Sequence, residues 1–86
     1  MDRFFFHIRT GGQVLVDQEG TWLADADAAR QEALTAARHI LADAIRSGNE
    51  VIPEAFVIAD SEGRELETVL LAVVLPKRLR HQDASS

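Results

Sequence analysis

Short apolar runs rich in Phe, Val and Ile at both ends of the chain flank a central stretch with helical periodicity. Arg3 to Arg9 reads as a strand, and Gly11-Gly12 follows as a turn signal. Val14 to Asp17 is the expected return strand, so the chain opens with a hairpin. Asp17-Gln18-Glu19-Gly20 reads as a second turn, and Thr21-Trp22-Leu23 as a short extended piece. From Ala26 to Ser47 there is no Gly or Pro, and strong helix formers dominate. Asp25 is the expected N-cap, Asp27 and Arg46 suit the two ends of the helix dipole, and Gly48 is the stop. Beyond a loop containing Pro53, Ala55 to Ala59 is the third strand. The turn Asp60-Ser61-Glu62-Gly63 leads into a fourth, Arg64 to Leu71, with a continuation toward Leu75 open and Pro76 as its end.

The order is ββαββ. The simplest architecture is an α+β fold: a four-stranded antiparallel sheet, strand order 2-1-3-4, with one long helix packed on one face. At 100° per residue, Ala26, Ala29, Ala33, Ala37, Ile40, Leu41 and Ala44 form one stripe, with Leu34 and Ile45 at its edge. Small alanines let the helix approach its sheet closely. Period-two alternation assigns Phe4, Phe6, Ile8, Val14, Val16, Phe56, Ile58, Leu66 and Leu70 to the face under the helix. The other face then carries Phe5, Leu15, Val57, Val69 and Leu71 beside His7, Arg9, Glu65 and Glu67. A half-apolar open face calls for a partner. Phe5, His7, Leu15, Val57, Val69 and Leu71 are therefore the candidate interface. The competing expectation is that residues 72–80 fold back over it.

Eighty-six residues make one domain, expected over 1–75, with a basic tail over 76–86. Charge divides the same way. Residues 1–75 hold six Arg against thirteen acids, net −7, while the tail has Lys77, Arg78 and Arg80 against Asp83, net +2. An acidic body disfavours nucleic acid. The longest apolar run, Val69 to Leu75, is far short of a membrane span, and the start lacks the pattern of a signal peptide. The cytoplasm is the default location, and the absence of cysteine suits a reducing compartment.

Several motifs together resemble a family of very short bacterial proteins known as a domain of unknown function. These are the opening Arg3-Phe4-Phe5-Phe6-His7, then Asp17-Gln18-Glu19-Gly20, then the helix start Ala28-Ala29-Arg30-Gln31-Glu32-Ala33. A late hairpin adds Phe56 and the Asp60 to Gly63 turn. The resemblance covers roughly residues 3 to 71 and implies a fold without an activity; Ala72 to Ser86 departs from it. A fold-level likeness to the antitoxin half of toxin–antitoxin pairs is weaker, since no separate DNA-binding segment is visible.

The sequence offers no catalytic signature: no nucleophile elbow, Walker or dinucleotide motif is present. The three histidines form no ligand pair, and His39 with Asp43 lies on the solvated helix face, so no metal or cofactor is expected. Arg30 stands out because its helical angle places a cation inside the apolar stripe. It is expected to be partly buried and paired with a carboxylate of the Asp17–Asp25 segment, or else to bind an anion. The functional expectation is a non-enzymatic protein-interaction or homodimerisation module. A small anionic-ligand-binding protein and an antitoxin-like regulatory partner are the alternatives.

Overall fold

The computed structural model describes residues 1–48 and 52–75; the expected basic tail lies outside them. Strand β1 (Asp2–Thr10) is followed by β2 (Gln13–Leu15), β3 (Thr21–Leu23), helix α1 (Ala26–Ser47), β4 (Ala55–Ala59) and β5 (Glu65–Leu70). A 3-10 turn, Leu71–Val74, comes after β5. The sheet is antiparallel in the order β2-β1-β4-β5, with β3 also paired to β1. The expected ββαββ order therefore becomes βββαββ. The short extended piece at Thr21 is a strand in its own right.

The helix forms where its chemistry starts and stops it. The Asp25 carboxylate accepts from the Ala28 N–H at 2.8 Å, and Gly48 closes the last turn in the left-handed conformation. Ala29, Ala33, Ala37 and Leu41 are buried against Phe4, Phe56, Ile58, Val69 and Leu71, with Phe6 and Ile8 packed around them. The alanine stripe works as the pattern implies, since side chains this small leave room for the phenylalanines of the sheet. Full burial of a Phe side chain stabilises by roughly 1.5–3 kcal/mol, so Phe4 and Phe56 are major contributors to a small core.

The second hairpin departs from the expected alternation. Val69 stands opposite Phe56 and Glu67 opposite Ile58, while a register shift at Ile58/Ala59 brings Glu65 opposite Ala59. This bulge moves Glu67, Val69 and Leu71 to the helix side, and Leu66 and Leu70 are exposed instead. The Leu71 N–H still donates to the Glu54 carbonyl at 3.0 Å, in register with β4, and the chain then coils into the 3-10 turn. From there Val74 and Leu75 pack on the helix-side core, so through Leu75 the chain does not fold over the open face.

Candidate functional site: the outer β2 edge and its clamp

The first hairpin sets the geometry. Gly11-Gly12 makes a two-residue turn, which pairs Thr10 with Gln13, Arg9 with Val14 and Ile8 with Leu15. Leu15 thus shares a face with Ile8, on the helix side of the sheet, and Val14 shares the open face with Arg9. Both are the reverse of the expected assignment, because a turn of two residues fixes which residues oppose and periodicity alone does not. The helix does not reach this far, and Val14, Leu15 and Val16 are 52%, 70% and 56% exposed.

The backbone of β1 shows which way β2 presents its hydrogen-bonding groups. The Arg9 carbonyl accepts from the Glu54 N–H at 2.9 Å, on the β4 side of β1. The Phe6 N–H points the other way, to the Asp17 carboxylate at 3.1 Å. Odd positions of β1 therefore face β4, and even positions face β2. Val14 sits opposite Arg9, so its N–H and C=O turn away from β1, toward the open edge. Three exposed apolar side chains and outward backbone groups thus coincide at one edge of the sheet.

Between β2 and β3 the ladder on β1 is interrupted, and Asp17 bridges the gap. Its carboxylate accepts from Phe6, Glu19 and Gly20 N–H groups at 3.1, 3.1 and 3.2 Å. Its own N–H donates to His7 Nδ1 at 3.0 Å. Partial burial works against the Asp17 charge, but the Phe6, Gly20 and Glu19 donors and the nearby His7 ring outweigh it. The carboxyl therefore titrates below the usual aspartate value. His7 lies beside Phe5, ring centroids 6.5 Å apart. Arg3 completes the clamp. Its guanidinium donates to the Glu19 carbonyl through Nε at 2.8 Å and also through a terminal nitrogen. It lies 5.3 Å from the Phe5 ring and 6.0 Å from the Trp22 ring, Trp22 being 61% exposed.

The six candidate interface residues do not form one surface. Val69 and Leu71 are in the core, moved there by the bulge in β5. Val57 is on the open face but buried, since it lies on the central strand β4 between His7 of β1 and Thr68 of β5. Phe5 and His7 are half-buried within the clamp, and Leu15 is exposed at the outer edge. Sequence reasoning missed Val14, Val16 and Trp22, and the Gly-Gly turn length was the signal that would have placed Val14. Arg30 is not paired within the Asp17–Asp25 segment. Its Nε reaches Glu67 Oε2 at 2.8 Å, and its side chain is nearly half exposed, because the bulge brings Glu67 to the helix side.

A cavity of about 360 Å³ opens between Leu41, Pro53, Leu70, Leu71 and Leu75. Among the described residues Glu54 is the single ionisable one in its lining, and that carboxylate lies 3.6 Å from Arg9 Nε. Among the described residues, no three His, Asp or Glu side chains converge as a metal site. No helix among them is long and apolar enough to cross a membrane. No curated protein and no solved structure matches the chain. A family model does match, over residues 3–72, and it spans the strands, the helix, the Asp17 clamp and both hairpin turns: the chain belongs to the family described as a domain of unknown function, DUF6894.

Proposed function

We propose that this chain is a non-enzymatic protein-interaction module whose contact surface is the outer edge formed by β2. The observation that carries this reading is the asymmetry between the two edges of the sheet. Along β2 the run Thr10 to Val16 holds no charged residue, and three of its apolar side chains stand in solvent. Along β5, Leu66 and Leu70 are also exposed, but Glu65 and Glu67 place acids on the strand, which discourages another strand from pairing there. An uncharged apolar edge with outward backbone groups suits an added strand, which gains main-chain hydrogen bonds and side-chain contacts together. Anion binding is less favoured, because Arg30 is engaged by Glu67 and His7 Nδ1 by the Asp17 N–H.

The test uses the wild-type chain and a Leu15→Lys variant as baits in cell extract, after circular dichroism shows both folded. The module reading expects a protein, further copies of the chain included, to be retained by the wild type and lost from the variant. Retention that ignores Leu15→Lys, or none by either bait, overturns it.

A further inference from the structure

We infer that the partner of the β2 edge is a second copy of this chain, joined by antiparallel pairing of β2 with β2 about a two-fold axis at Leu15. The inference rests on the reading of β2 as a contact edge and adds the identity of the strand that fills it. The segment is complementary to itself. With Leu15 opposite the partner's Leu15, Val14 stands opposite the partner's Val16 and Val16 opposite the partner's Val14. Val14 turns its N–H and C=O outward, and the period of two puts Val16 in the same sense, so these residues can exchange main-chain bonds across the axis. Leu15 falls at the position between those bonded pairs, where side chains approach most closely, on the face that also carries Ile8.

Charge does not oppose the same partner at this edge. Residues 1–75 carry net −7, so most of the surface of one copy repels another. The Thr10 to Val16 run is a neutral window in that surface. At its limits Gln13 would oppose the partner's Asp17, an amide against a carboxylate, and Arg9 is occupied within its own chain, 3.6 Å from Glu54. No like charges are brought opposite one another. The contact is short compared with a standard interface of about 1,600 Å², so the dimer is weak and concentration-dependent.

Sedimentation equilibrium and a cysteine cross-link test this. The wild type is expected to show a concentration-dependent dimer, and Val14→Pro a monomer. That proline removes an N–H that faces the open edge and leaves the bonds to β1 in place. The chain has no cysteine, so Leu15→Cys introduces a single thiol. Mild oxidation should convert most of it to disulfide-linked dimer, and Leu70→Cys, near the opposite edge, should cross-link several-fold less. A wild type that stays monomeric to about 1 mM overturns the pairing, as does a dimer that survives Val14→Pro, or equal cross-linking at both thiols. If the wild type is monomeric while another protein is captured through Leu15, self-pairing fails and the module reading stands. If neither is seen, both fail.

Discussion

Arg30 Nε and Glu67 Oε2 lie 2.8 Å apart although 37 residues separate them in the chain. Glu67 stands opposite Ile58, on the side of the sheet that carries the helix, and Arg30 is the cation that meets it there. Both side chains are nearly half exposed, at 47% and 43%, so water screens the pair. Arg30→Met is expected to cost less than about 1 kcal/mol, and a double-mutant cycle with Glu67→Gln to give a coupling below about 1 kcal/mol. Urea unfolding measures both. A loss above about 2 kcal/mol would mean that the pair carries far more than an exposed ion pair can.

Asp17 carries more than the helix cap does. Asp17→Ala leaves three backbone N–H groups without their acceptor and is expected to cost about 2–3 kcal/mol. Asp25→Ala removes one cap bond and should cost about 1 kcal/mol. Thermal unfolding of the two variants side by side would reverse this order if the loop between β2 and β3 were held by other contacts.

Acid should destabilise the fold through two carboxyls. Asp17 is lowered for the reasons given above. Asp60 is lowered first by the Arg64 N–H, against slight desolvation, and then by the Glu62 N–H and the Arg64 side chain. A depressed folded value means the unfolded chain takes up these protons first as pH falls. The stability these groups contribute is complete above the unfolded value near about 3.9, and it drains away as pH drops through their lower folded values. Urea midpoints measured from pH 6 to pH 2 should fall with acid, less steeply in Asp17→Asn than in the wild type. An identical slope in the variant would remove Asp17 from the account.

Two glycines separate backbone strain from lack of space. Gly63 has φ +87 and nothing within 4 Å of where a Cβ would be, so Gly63→Ala meets strain alone, about 1–2 kcal/mol. Gly20 has φ +73, and a Cβ there would lie 3.0 Å from the Phe4 carbonyl oxygen and from Phe5 Cε2. Gly20→Ala should be the more damaging of the two by at least about 1 kcal/mol in chemical denaturation. Equal losses would show that the β1–β3 contact relaxes freely.

The helix was legible from Asp25 to Gly48 because caps, composition and period all agree there. Ala55 to Ala59 was legible because its apolar run is bounded by Pro53 and the Asp60 turn. The candidate site was not. Val14, Leu15 and Val16 are all apolar, so no alternation marks an inward face, and the facing is set by the Gly11-Gly12 turn. In β5, both sets of alternate residues contain apolar side chains, and the bulge decided between them. Asp17 looked like an ordinary turn residue because its partners, Phe6 and His7, are ten or more positions away.

The difference between the two rims of the sheet also limits how far assembly can go. Endless stacking of strands requires that each molecule offer one receptive rim at either side, so that every addition recreates the surface it consumed. Here Glu65 and Glu67 mark one rim, and the neutral stretch from Thr10 to Val16 marks the other. A molecule joined to its twin along β2 has used the rim that welcomes a strand and presents acids outward at both extremes of the joined sheet. Growth of a dimer so joined would terminate at the pair, and the short neutral stretch would bring two copies together without seeding a fibre.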